Sequence, residues 1–455
     1  MDHTRKLAHF CSKLSFDSLP GEVVEKAKLC VLDYISNIYG SLELDAVKAV
    51  VEYVKSLDGP KAATALGCGF KTGLQNAAFV NGTTAEAIEA QDGLRFGGNH
   101  PVSAVLPVAI ALAEKLKLGG RALIEAVVAG YEAADRPAAA MHPWHTLSGF
   151  LPTGTCGTFG AAAAAAKLMG LNEEGMLNAI GNAGYVLPLS MAEQLMGGYT
   201  IKIVQGGQAA SAGIMAAGLA SKGITGCPEV LEGSALKGGF TQITSRADPN
   251  LDKLSDGLGE HYSIMDIYFK PYSACRHTHG AAQATLKLIR EHGFGAGEIE
   301  SIAVHTYGVA ELAVGKGVPD GGSFVSAQFS LPYVVAACIL DGDLGPGQLT
   351  ERRIADSAVI DLTKRVSVKL DEELNKAYPE KTSSRVEISL KDGRELAWQT
   401  DIPKGDPRDP MEADDLAEKL SRFAGGRKPE RLEKIIGMVM ELEKLRDVSE
   451  LASII

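Results

Sequence analysis

Through roughly the first 260 positions, apolar residues recur at three- and four-residue intervals. EVVEKAKLCVLDYISNIYG has this spacing and stops at Gly40, and LDAVKAVVEYVKSL repeats it. TGLQNAAFVNGTTAEAIEA predicts two short helices broken at Asn81-Gly82. PVSAVLPVAIALAEKLKLGG is apolar on nearly every face, which predicts a buried helix, and RALIEAVVAGYEAADRPAAAM predicts another. GTFGAAAAAAKLMGL has such small side chains that its neighbours must approach closely. After Arg276 the period changes. IESIAVHTYGVAEL and RVSVKLDEEL alternate like strands, and SRVEISLKDGRELAWQT reads as a hairpin turning at Lys391-Asp392-Gly393. ADDLAEKLSRFAGG and RLEKIIGMVMELEKL return to a helical period.

The pattern predicts a mainly α protein. A large helical domain spans residues 1–269 and is completed by 404–455, and a smaller α+β domain spans 270–403. The chain has 455 residues, a formal charge of −11 and few aromatics, which suits helices packed on small side chains. An acidic balance argues against nucleic acid as a partner. No run of about 20 apolar residues predicts a membrane span. The seven cysteines are scattered without a CxxC pair, as expected in a reducing, cytoplasmic setting.

Against that acidity, FKPYSACRHTHGAAQA gathers Lys270, Arg276, His277 and His279 just ahead of a helical segment. A helix start with free N–H groups, flanked by arginine and histidine, favours an anion. The same cations could instead pair with the acidic surface. A second stretch, EAQDGLRFGGNHPVSAVLP, sets Glu89, Asp92, Arg95 and His100 around a Gly-Gly loop, with Pro101 suited to a first helical turn. Asp92 could orient His100 as a general base, or the loop could simply cap the helix. In GGYTIKIVQGGQAASAG, Lys202 is either a carboxylate contact or a snorkelling lysine. Tyr333 opens an apolar helix in SAQFSLPYVVAACIL and, by itself, reads as core. His277 and His279 lack a local third ligand, so no metal site is expected. No GxGxxG after a clear strand, Walker loop or GxSxG occurs, and no bound cofactor is expected.

Six segments together resemble the MmgE/PrpD family: AFVNGTTAEAIEAQDG, GNHPVSAVLPVAIALAE, GFLPTGTCGTFGAAAAAAKLMGL, KGITGCPEVLEG, YFKPYSACRHTHGA and FSLPYVVAACILDGDLG. The resemblance implies a helical domain closed by the C-terminal helices, an α+β lid, a homodimer and a cofactor-independent site between the domains. It carries active-site roles to Asp92, His100, Lys202, His277 and Tyr333. Arg95, Lys270, Arg276 and His279 are the accompanying candidates for binding a small carboxylate substrate. The chain departs from the pattern at Leu151 and Gln205, where relatives often carry His, and at Gln91, where they often carry an acid. His145 is a candidate substitute for the imidazole missing at Leu151. The resemblance does not choose among the family's reactions, and the expected activity is a hydro-lyase on a polycarboxylate, with His100 as base. Epimerisation, decarboxylation, or carboxylate binding without catalysis are the alternatives.

Overall fold

The computed structural model describes residues 2–319 and 321–455. Its helical body is built from Gly21–Ser41, Leu74–Ala87, Val102–Leu116, Gly120–Met141, Pro152–Leu168, Glu173–Val186 and Gln205–Ala220. Small residues set the spacing of these helices. A Cβ at Gly160 would stand 2.5 Å from Gly130 O, so the helices Gly120–Met141 and Pro152–Leu168 touch backbone to backbone.

The break expected at Asn81-Gly82 is absent, and Leu74–Ala87 is one continuous helix. Tertiary contacts override the local turn signal. Asn81 accepts from Leu66 N at 2.8 Å and donates to Thr64 O at 2.9 Å. Gly82 faces the helix Gln205–Ala220, where a Cβ would lie 2.6 Å from Ser103 O and 2.7 Å from Gly207 Cα. Gly82→Ala should therefore destabilise the protein by about 1–3 kcal/mol through overpacking, despite alanine's better helix propensity. An unchanged denaturation midpoint would contradict this packing.

The segments read as strands after Arg276 form a four-stranded mixed sheet in the order Val366–Leu370, Ile299–Thr306, Ser384–Leu390, Glu395–Thr400. Only the first pair is parallel. The strand patterns are shorter than expected, since Gly308–Val314 and Glu372–Ala377 turn into helix. The expected hairpin turn holds Gly393 at φ +88°. The helix His279–His292 packs on the sheet.

Two hydrophobic cores result. The first joins Tyr34, Val105, Val127 and Phe159 to Leu420, Ile435 and Leu451 near the C-terminus. The second holds Ile302, Val304, Val335, Val386 and Ile388 of the α+β part, and it also takes in Ala87, Ile88, Ala90 and Ile203. The segments around residues 86–92 and 202 therefore lie on the seam between the cores. Lys419, on the helix Ala413–Phe423, fastens that seam: its Nζ donates to Asp33 Oδ1 and to Ala90 O, each at 2.6 Å.

Candidate active site

The helix Leu74–Ala87 delivers Glu86 to the seam, and the chain then turns sharply through Glu89, whose φ is +55°. Such a left-handed conformation is uncommon for a residue with a side chain and marks a constrained turn. Both carboxylates are buried and meet two buried ammonium groups. Lys202, on the turn Thr200–Val204, contacts Glu86 Oε1 at 2.9 Å and also pairs with Glu89. Lys270 Nζ donates to Glu89 Oε1 at 2.7 Å and to Glu89 O at 3.2 Å. Gln205 donates to Glu86 Oε1 at 2.7 Å and accepts from Ser190 Oγ at 3.1 Å. Burial alone would lower Lys202, but Glu86 and Glu89 raise it above the usual lysine range. Burial alone would raise Glu89, yet Lys202 and Lys270 hold it well below the usual carboxylate range. The quartet is thus two carboxylates and two ammoniums that neutralise one another, and Lys202 cannot serve as a neutral base.

Sequence reasoning did not select Glu86 or give Glu89 a role. The available signal was two acids three positions apart within an otherwise apolar stretch.

His100 sits at the start of the helix Val102–Leu116 and is half-buried. Its Nδ1 lies 2.5 Å from Asp92 O. A carbonyl only accepts, so Nδ1 carries the hydrogen and Nε2 keeps its lone pair. This corrects the expected carboxylate–imidazole pair. The Asp92 carboxylate instead accepts from Tyr131 OH at 2.6 Å and from Val102 N at 3.2 Å, so it caps the helix while its backbone carbonyl orients the imidazole. Burial pushes the Asp92 carboxyl up to about 7. Burial, then Lys270, lowers His100 to about 4, so the imidazole is neutral at pH 7.

Gly93 pairs with Tyr268 in a short antiparallel ladder. A Cβ at Gly93 would collide with Tyr268 OH and stand 2.9 Å from His100 Nδ1. Glycine is therefore required here to bring the phenol beside the imidazole. Burial raises the Tyr268 phenol above the usual tyrosine range, so it stays protonated.

Arg276 stacks on Tyr268, with its Cζ 4.8 Å from the ring centroid. It donates to Lys404 O at 2.8 Å and to Pro403 O at 2.7 Å. No carboxylate pairs with it among the described residues, so its charge is uncompensated. His277 Nδ1 meets Tyr307 OH at 2.6 Å, and Tyr307 stacks on Tyr378 with centroids 4.6 Å apart. Burial lowers His277 to about 4, followed by the charges of His142, Lys270 and Arg276. Lys270 thus bears on both His100 and His277. Among the described residues no group of three or more His, Cys, Asp or Glu side chains is placed to hold a metal ion, and no helix is long and apolar enough to cross a membrane.

Residues 5–252 match the MmgE/PrpD N-terminal domain, and residues 272–444 match the MmgE/PrpD C-terminal domain. The chain belongs to the MmgE/PrpD family. It is 28% identical over 472 residues to a cis-aconitate decarboxylase of Aspergillus terreus (strain NIH 2624 / FGSC A1156), covering 99% of this chain and 95% of that one. The cis-aconitate decarboxylase of Mus musculus is 28% identical over 474 residues, covering 99% and 93%. That of Homo sapiens is 27% identical over 472 residues, covering 99% and 94%.

Other candidates of this MmgE/PrpD chain lie off the cluster. Tyr333 is buried in the second core, and its hydroxyl donates to Gln348 O. Its plain-core reading fits this placement. Tyr333→Phe should leave turnover within about twofold and cost about 1 kcal/mol of stability; a large loss of rate in a folded variant would return the residue to the site. His279 is fully buried, packs on Tyr272 and donates from Nε2 to Ala274 O at 3.0 Å, while its Nδ1 has no partner. Arg95 reaches across the seam to Pro379 O at 2.5 Å and Glu380 O at 2.9 Å, linking the two parts of the chain.

His145 does not replace the imidazole missing at Leu151. It stacks on Phe150 in the core, donates from Nδ1 to Thr244 O at 3.0 Å and accepts at Nε2 from Thr155 Oγ1 at 2.8 Å. Gln205 donates to Glu86, but an amide cannot carry a proton as an imidazole would. His142, missed in the sequence, bears on His277, and its buried Nδ1 has no partner.

Proposed function

We propose that the protein is a lyase acting on a small di- or tricarboxylate at the seam, with decarboxylation of an unsaturated tricarboxylate as its leading reaction. Support for the reaction comes from full-length likeness to cis-aconitate decarboxylases. The observation that carries the site is the uncompensated Arg276 guanidinium beside Tyr268, which in turn flanks the neutral His100 imidazole. Arg276 uses two of its five N–H groups on backbone carbonyls, leaving three for a substrate carboxylate. Lys202 stays charged and, with Lys270 beside it, favours the negative charge that builds on substrate oxygens as a bond to carbon breaks. Loss of CO₂ leaves its electron pair on the substrate skeleton. A proton delivered to that carbon, with Tyr268 as donor, completes the reaction. His100 accepts and returns protons through Nε2.

Dehydration of a hydroxylated polycarboxylate is the second reading. A neutral imidazole with a free lone pair suits abstraction of an α-proton, and an adjacent phenol suits protonation of the departing hydroxyl. Incubation with cis-aconitate and with 2-methylcitrate in D₂O, followed by NMR, separates the two. A product one carbon shorter supports decarboxylation, and loss of water supports dehydration. If neither acid is turned over or raises the melting temperature, the reading fails.

A homodimer is part of this reading. Tyr185, Leu189, Met196, Tyr199 and Ile201 are exposed apolar residues clustered in sequence just before Lys202, and a second copy would cover them. Sedimentation should give twice the chain mass.

A further inference from the structure

Tyr307 follows directly on the strand Ile299–Thr306 and is fully buried. Its hydroxyl lies 2.6 Å from His277 Nδ1, and the two rings meet edge to face with centroids 5.6 Å apart. A phenol has one hydrogen to give, and among the described residues Nδ1 is the one partner of this hydroxyl. If Nδ1 carried the ring hydrogen, the phenol hydrogen would be buried with nothing to accept it, which is a costly arrangement. Tyr307 therefore donates, Nδ1 accepts, and the neutral imidazole carries its hydrogen on Nε2.

The phenol is held in place from behind. Tyr307 stacks on Tyr378, with the ring planes 12° apart. The preceding Thr306 donates from Oγ1 to Ser383 O at 3.2 Å, and its carbonyl accepts from Asp371 N at 2.9 Å. His277 itself is half-buried. Its Nε2 makes no hydrogen bond among the described residues and is not sealed from solvent. The charges of Lys270 and Arg276 bear on the ring, and Arg276 stacks on Tyr268, which flanks His100. The two imidazoles are thus set in opposite senses. His100, bonded from Nδ1 to Asp92 O, offers a lone pair, and His277 offers a hydrogen.

We propose that Tyr307 is a positioning residue that holds His277 as a neutral Nε2–H donor, and that this donor meets a substrate carboxylate oxygen beside Arg276. The contact with substrate rests on the lyase reading; the tautomer does not. A neutral imidazole gives a hydrogen bond and keeps its proton, so His277 would steady negative charge growing on that oxygen while His100 and Tyr268 move protons.

Nitrogen NMR of the full chain carrying isotopically labelled histidine tests the tautomer without requiring any activity, the His277 signals being identified by their loss in His277→Gln. At pH 7 the wild type should show the hydrogen on Nε2 and none on Nδ1. In Tyr307→Phe the Nδ1 signal should move downfield, because its lone pair loses the hydroxyl. Hydrogen on Nδ1, a doubly protonated ring at pH 7, or an unmoved Nδ1 signal in folded Tyr307→Phe would overturn the proposal. Turnover of cis-aconitate tests the contact. His277→Ala should lower kcat about 10²-fold, and His277→Gln, whose amide can still donate, should stay about tenfold faster than the alanine variant. Equal losses in the two would mean that His277 moves a proton, and the donor role would fall. If the wild type turns over neither cis-aconitate nor 2-methylcitrate, the lyase reading and the contact fall together, while the nitrogen signals still decide the tautomer.

Discussion

Glu89→Gln is expected to unfold or severely weaken the protein, lowering stability by about 3–5 kcal/mol, because it leaves buried charge without a counter-ion. Glu89 is the sole carboxylate that pairs with Lys270 among the described residues, and it shares Lys202 with Glu86. Glutamine has the same length and tolerates the +55° backbone angle no worse, so the substitution isolates the charge. In the wild type, burying four charges is offset by three short ion-pair contacts. With glutamine, one negative charge faces two ammoniums in a low-dielectric seam. Denaturant unfolding of the variant checks this. A midpoint shift worth less than about 1 kcal/mol would mean that water reaches the quartet and that these groups do not shape the site.

His100→Ala is the second large effect. A positioned acid–base group contributes about 10²–10⁴-fold, and turnover should fall by that order while the fold persists. Retention of the fold is expected because the imidazole is half-buried and contributes one hydrogen bond, to Asp92 O. The pH profile gives a sharper test. Burial and Lys270 lower His100 to about 4, so the active neutral form persists down to that pH and is lost as pH falls through it. In short assays the acid limb of kcat/KM should lie near pH 4 instead of the ordinary histidine value of about 6.5. A limb near 6.5 would show a solvated, unperturbed imidazole and would remove His100 as the base.

The helical body was legible because long amphipathic and small-residue patterns dominate it. The Asn81-Gly82 signal misled because its residues serve tertiary contacts, with the amide side chain satisfying the neighbouring strand and the glycine admitting another helix. Cations in apolar settings exposed Lys202, Lys270 and Arg276 as unusual. Their partners were hidden, because Glu86 and Tyr268 become neighbours of the cluster only when the two cores meet. The eight-residue separation of Asp92 and His100 suggested a side-chain pair, but the turn presents the backbone carbonyl. At Tyr333 the apolar helical context matches the residue's buried place in the second core. His142 lay in a stretch with no motif and gained significance only through its proximity to His277.

The central claim is that Arg276 and His100 handle the same small polycarboxylate, one holding a carboxylate and the other moving its proton. Steady-state kinetics with cis-aconitate for the wild type, Arg276→Ala, His100→Ala and the double variant test it most directly. The expected result is a large rise in KM for Arg276→Ala, a large fall in kcat for His100→Ala, and a folded double variant without detectable turnover. A wild-type kcat/KM in either folded single variant would contradict it.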